Sequence, residues 1–187
     1  MRRENNWTIP NILTVFRIML TPGFVMAFVS ERIGLACILF IVASVTDALD
    51  GTLARVLKQR TSLGAMLDPL ADKVLIVTGF LCLGLEGWVP AWLVVLVISR
   101  DMLIIGGLVV VNLWGVDVRN EIRPSFASKV NTTVQISLLF LVLTAHAGWM
   151  SLPNMEQGMI YFTGVLTVYT GFIYLKRGLA LIPANGG

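Results

Sequence analysis

The sequence is poor in charge: only 13% of its 187 residues are Asp, Glu, Lys or Arg, while 56% are hydrophobic. Soluble domains carry about 25% charged residues and about 45–50% apolar ones. So little charge, with a mean hydropathy of +0.81, argues against a water-soluble protein and for an integral membrane one. Cysteine is also scarce. Cys37 and Cys82 both sit inside apolar runs, which argues against a disulfide framework and reads as small buried side chains. No basic stretch stands clear of the apolar segments, so no nucleic acid partner is expected despite the net charge of +3. No cleavable signal or Arg/Ser-rich transit peptide is visible, so the first apolar run is expected to stay in place. A bacterial cell (inner) membrane is accordingly expected over a mitochondrial one. Repeats, low-complexity tracts and the inverted halves of many transporters are likewise missing.

What is present is a series of apolar runs. Set against the polar breaks, they predict helices at about 10–30, 33–57, 63–85, 89–114, 126–148 and 157–176. Six spans of ~20 residues use up the chain and leave no room for a soluble domain. The expectation is an all-α integral membrane protein with six transmembrane helices, residues 1–187 forming one membrane-embedded domain. Assigning the breaks alternately to two sides sorts the cations. Arg2, Arg3, Arg55, Lys58, Arg60, Arg119, Arg123, Lys129, Lys176 and Arg177 fall on one side and Arg32 on the other. The positive-inside rule then places both termini in the cytoplasm. Trp7, Trp88, Trp92, Trp149 and Tyr161 fall near the expected interfaces, as aromatic belts do.

The second and third runs carry Asp47, Asp50, Asp68 and Asp72, close to the cytoplasmic break between them. An ionised Asp at the bilayer centre costs about 2.5–3.5 kcal/mol on insertion scales, so four together need a reason. Asp47 and Asp50 are spaced i,i+3 and Asp68 and Asp72 i,i+4, which puts each pair on one helix face. Two divalent cations would balance the four negative charges. Carboxylate oxygens are hard ligands suited to Mg²⁺ or Mn²⁺, and a two-metal site clamps the attacking and leaving oxygens of a phosphoryl displacement. Gly51 and Ala54 leave a stripe of little bulk beside the acids, and Arg55 ends it with a planar fork suited to phosphate. Other readings stay open: acids paired with nearby cations, a small-residue packing face, or the path of a divalent-ion transporter.

From Asp47 to Asp72 the chain reads D-x-x-D-G-x-x-A-R, eight residues, then G-x-x-x-D-x-x-x-D. This resembles the signature of the CDP-alcohol phosphotransferases, with Asp47, Asp50, Gly51, Ala54, Arg55, Gly64, Asp68 and Asp72 all in place. The resemblance implies a six-helix fold, a homodimer, and a site open to the cytoplasm and inner leaflet. It implies that Asp47, Asp50, Asp68 and Asp72 hold two divalent cations, Mg²⁺ or Mn²⁺, and that Asp72 is also the general base on the acceptor hydroxyl. It places Gly51, Ala54, Arg55, Thr61 and Gly64 around CDP-diacylglycerol, helped by Asn11 and Thr14.

Within that family, the run Ile9 to Arg17 resembles the branch that makes phosphatidylglycerophosphate or cardiolipin. Residues 98–101 (I-S-R-D) and 124–132 (P-S-F-A-S-K-V-N-T) are similar to the CMP-forming cardiolipin synthases. Phosphatidylglycerophosphate synthases tend to carry G-K-x-K-T where this chain has Ser128 to Thr132. A neutral Asn131 in place of Lys suits a phosphodiester acceptor such as phosphatidylglycerol better than the near-dianionic glycerol 3-phosphate. Arg100, Arg123, Lys129 and Asn131 are the expected acceptor residues. Two structural alternatives stay open, an ion pair of Arg100 with a membrane carboxylate such as Asp101 and a packing role for Asn131. The acceptor alternative is glycerol 3-phosphate. His146 is expected at the far interface.

Overall fold

The computed structural model describes residues 9–56, 62–113, 126–150 and 152–181, with side chains at 15–47, 73–104, 106–107, 126–150 and 152–176. Six helices lie among the described residues: α1 (Ile9–Val29), α2 (Ile33–Val56), α3 (Ser62–Leu85), α4 (Ala91–Leu113), α5 (Phe126–His146) and α6 (Pro153–Leu181). The sequence pattern places all six within a few residues of these bounds, with the largest shift at α6. That helix starts four residues before the expected 157, because Pro153 stands at its first position, where a missing N–H and a fixed φ favour helix entry.

The described loops are tight and built alike. At the end of α1, Arg32 N–H donates to Ala27 O and Glu31 N–H to Phe28 O, the paired bonds of a Schellman cap. Trp88 and Gly87 repeat the pattern on Leu83 O and Gly84 O after α3, and Trp149 and Gly148 on Thr144 O and Ala145 O after α5. The left-handed residue is Gly87 (φ 72°) or Gly148 (φ 76°) in two of them, and Glu31 (φ 58°) in the third. Glu31 adopts it at a cost of roughly 1–2 kcal/mol relative to glycine. These three caps follow the odd-numbered helices, the breaks that the sequence pattern assigns to the cation-poor side.

The chain divides into two compact units, one of residues 1–88 with 139–152 and one of residues 89–138 with 153–187. In the first, α1 packs against both α2 and α3. Its core is aromatic: Phe24 lies 6.0 Å from Phe28 and 6.1 Å from Phe40, and Phe28 meets Trp88 edge-on at 5.3 Å. His146 stacks on Trp88 at 3.8 Å, with its Nδ1 3.0 Å from Val142 O, at the end of α5 as expected. Cys37 and Cys82 are buried free thiols, as their apolar settings indicated.

In the second unit, α4 packs against α6. Thr163, Thr167 and Thr170 form a buried stripe along α6, while Tyr161, Val165, Val168, Tyr169 and Phe172 on the same helix are exposed. Hydroxyls inside and large apolar groups outside reverse the pattern of a water-soluble helix and match a helix solvated by lipid, where interfaces are small and polar. Among the described residues, 126–146 and 153–176 are long and apolar enough to cross a membrane, and α1, α2 and α3 contribute shorter apolar stretches.

Candidate active site

In the first unit, the helical backbone runs unbroken through both acid pairs: α2 carries Asp47, Asp50, Gly51, Ala54 and Arg55, and α3 carries Gly64, Asp68 and Asp72. The i,i+3 and i,i+4 spacings are therefore true helical spacings. Asn11 and Thr14 lie in the first two turns of α1. Thr61 and Arg123 lie outside the described residues, as do the side chains of Asp50, Asp68 and Asp72.

Asp47 is the acid whose surroundings are described. Its Oδ1 sits 2.7 Å from Nη1 of Arg17, an ion pair between α2 and α1 in which the guanidinium is fully buried and the carboxylate one-third exposed. Thr21 donates from Oγ1 to Arg17 O at 3.1 Å, one turn further along α1. A buried charge is tolerable when paired, and a carboxylate held from one side by a fixed cation keeps a defined orientation. Asp47, oriented and partly open, presents the kind of hard oxygen that suits a divalent cation, and among the described residues no group of three or more acidic, His or Cys side chains comes together. Arg17 was legible only as the end of the first-run motif; its contact with Asp47 joins residues 30 apart and leaves no local signal.

The second unit holds a separate cluster around Arg100, which is 3% exposed. Its Nη1 donates to Asp101 Oδ1 at 2.7 Å, its Nη2 donates to Ser128 Oγ at 2.7 Å, and its guanidinium lies 5.8 Å from the Tyr174 ring centre. The structure thus shows the Arg100–Asp101 pair left open as an alternative, together with a bond to α5. One turn along α5 from Ser128, Asn131 is fully buried and its Oδ1 accepts from Thr167 Oγ1 at 3.2 Å. Arg100 and Asn131 are thereby brought to one side of α5, whereas Lys129 is exposed.

The cluster keeps hydrogen-bonding capacity in reserve. Among the described residues, Arg100 Nε, Asn131 Nδ2 and both amide atoms of Gln135 are buried without a partner, where more than nine in ten buried polar groups normally have one. Gln135 and Thr167 escaped the sequence reading, although Ser128, Asn131 and Gln135 recur at i, i+3 and i+7, a polar stripe visible along an otherwise apolar run.

A family model described as CDP-alcohol phosphatidyltransferase matches residues 7–169. The chain belongs to the CDP-alcohol phosphotransferase family, whose members are membrane-embedded, generally depend on divalent metals, and use a CDP-alcohol with an alcohol acceptor. It is 36% identical to the human cardiolipin synthase (CMP-forming) over 94% of its length, covering 63% of that protein. It is 33% identical to a probable cardiolipin synthase (CMP-forming) of Drosophila melanogaster, again over 94% of its length and 59% of the relative. The chain therefore spans about three-fifths of these animal relatives. A CDP-diacylglycerol–glycerol-3-phosphate 3-phosphatidyltransferase of Haemophilus influenzae is 34% identical, with 91% of this chain and 92% of that protein covered.

Proposed function

We propose that the protein is a six-span, membrane-embedded phosphatidyltransferase, one catalytic domain working as a homodimer in the cell membrane with its site facing the cytoplasm. It transfers the phosphatidyl group of CDP-diacylglycerol to phosphatidylglycerol, giving cardiolipin and CMP. The observation that carries the choice of acceptor is Asn131. It is neutral, fully buried and bonded to Thr167, one turn from the Ser128 that holds Arg100. A second ammonium at that depth would need its own anion, which a phosphodiester with one charge supplies less well than a phosphomonoester.

The residues then divide the work. Asp47, Asp50, Asp68 and Asp72 would hold two divalent cations, Mg²⁺ or Mn²⁺, which when bound would neutralise and polarise the phosphate oxygens. Arg17 holds Asp47 in place for that duty. Asn11, Thr14, Gly51, Ala54, Arg55, Thr61 and Gly64 surround CDP-diacylglycerol. Arg100, Arg123, Lys129 and Asn131 seat the acceptor phosphate. Asp72 takes the proton of the acceptor hydroxyl as its oxygen attacks the phosphatidyl phosphorus. The bond from that phosphorus to the CMP oxygen breaks, and CMP departs.

The 34% identity to the Haemophilus relative, comparable with that to the animal proteins, favours a second reading, in which glycerol 3-phosphate is the acceptor. Purified protein supplied with CDP-diacylglycerol, Mg²⁺ and each acceptor separately, with products identified by mass spectrometry, decides between them. Cardiolipin from phosphatidylglycerol is expected, with CMP release abolished by a chelator. Phosphatidylglycerophosphate from glycerol 3-phosphate alone would replace the first reading with the second, and no CMP release with either would remove both.

A further inference from the structure

The acceptor cluster opens onto an apolar groove. Between α4 and α6 lies a cavity of about 720 Å³, walled by Val95, Leu96 and Leu103 on one side and Val168, Phe172 and Leu175 on the other, with Arg100 also in its lining. A second cavity of about 570 Å³ adjoins it on the same helix pair and shares Trp92, Leu96, Val168 and Phe172. Both are within the size of ligand sites, roughly 300–1,000 Å³.

Their shape is set by two glycines. A Cβ at Gly164 would stand 2.8 Å from the Trp92 ring, so only glycine lets the indole lie against α6, where it stacks with Tyr161 at 6.2 Å. Gly171 faces Arg100, its missing Cβ 3.7 Å from Arg100 Cγ, and adds no bulk to the groove beside the guanidinium. Ala91 to Leu103 spans about 18 Å of helix at a rise of 1.5 Å per residue. One leaflet of a ~30 Å hydrocarbon core is about 15 Å deep. The groove therefore has the length of an acyl chain, and the two cavities together have room for two.

We propose that this face of α4 and α6 is the acyl-chain site of the acceptor, a two-chain anionic phospholipid that enters sideways from the bilayer. Its phosphodiester meets Arg100, whose buried Nε has no partner among the described residues, and its chains lie along the paired grooves. The proposal rests on the phosphatidylglycerol reading above and deepens it. Glycerol 3-phosphate, which has no chain, would leave both cavities without a role.

The test uses the full-length protein in detergent with CDP-diacylglycerol and Mg²⁺. Three acceptors carrying the same headgroup are compared: dioleoyl-phosphatidylglycerol, its one-chain lyso form, and the chain-free glycerophosphoglycerol. We expect kcat/KM to fall at least tenfold with each chain removed. Gly171→Leu and Val95→Trp, which fill the groove, should raise KM for the diacyl acceptor about tenfold and leave KM for CDP-diacylglycerol within twofold, and Val95→Trp should also leave the chain-free acceptor unaffected. Val95 is 64% exposed, so its substitution tests the idea should Gly171→Leu not fold.

Equal use of the three acceptors by the unsubstituted protein would overturn the groove assignment while leaving phosphatidylglycerol as acceptor. Variants that raise KM for CDP-diacylglycerol instead would assign the groove to the donor. Variants that dissociate a dimer and slow all three acceptors equally would assign it to a second copy of the chain. Turnover with glycerol 3-phosphate but none of the three would remove the acceptor reading itself.

Discussion

Arg17 and Asp47 depend on each other because one is fully buried and the other only one-third exposed. Arg17→Met leaves a carboxylate among apolar helices, a change costing up to about 3–5 kcal/mol for a fully buried pair and less here. The double variant Arg17→Met with Asp47→Leu should recover part of that loss, a non-additivity measurable by unfolding in mixed micelles. The assignment of Asp72 as base makes a different demand. Asp72→Asn should slow CMP release by about 100- to 10,000-fold while CDP-diacylglycerol still binds in equilibrium dialysis, and near-normal turnover would move the base elsewhere. At the acceptor, Asn131→Lys places a cation where the structure has a neutral amide bonded to Thr167. It should shift relative use toward glycerol 3-phosphate by roughly tenfold or more and lower stability as well. An unchanged ratio in paired assays would mean that charge at this position does not select the acceptor.

Among the helices, α6 shows how a membrane element is specified. Its inward side carries the Thr163, Thr167 and Thr170 stripe, with Thr163 Oγ1 donating to Met159 O at 2.7 Å and Thr170 Oγ1 to Thr167 O at 3.0 Å. The hydroxyls of Thr163 and Thr170 bond to the helix backbone and that of Thr167 to Asn131 Oδ1, so the buried stripe is satisfied within the protein. Gly164 completes the fit, and Gly164→Ala should push the Trp92 ring outward. With overpacking costs of about 1–3 kcal/mol, the melting temperature should drop by several degrees, and Trp92→Leu on the same background should restore it. Apolar runs and breaks sufficed to place the helices because hydrophobic length and turn glycines act locally. Pro153 at the head of α6 was readable too, had its preference for the first helical turn been weighed against the apolar boundary. The acid pairs were equally legible, since helical spacing is written in residue numbers. The partners Arg17 with Asp47, Arg100 with Ser128 and Asn131 with Thr167 were not, because each joins different helices and depends on how those helices rotate against one another.

The proposed orientation of the molecule can be tested at its loops. Glu31 lies in the tight turn after α1 and Arg60 in the cation-rich break after α2. A membrane-impermeant maleimide should label Glu31→Cys in intact cells and Arg60→Cys only after permeabilisation, with little background from the buried Cys37 and Cys82. The reverse pattern would invert the proposed topology. The pairing of Arg17 with Asp47 also bears on how such a chain reaches the membrane. During synthesis the first helix emerges with a guanidinium near its middle, while Asp47, the carboxylate it meets in the folded protein, is 30 residues behind it. Alone in lipid, that helix carries an insertion penalty of about 2.5–3.5 kcal/mol, which falls once the second helix arrives with its carboxylate. The two are best delivered to the bilayer together as a hairpin, with the tight turn at Glu31 already closed, so the contact that holds Asp47 against α1 in the finished protein also bears on how its first two helices enter the membrane.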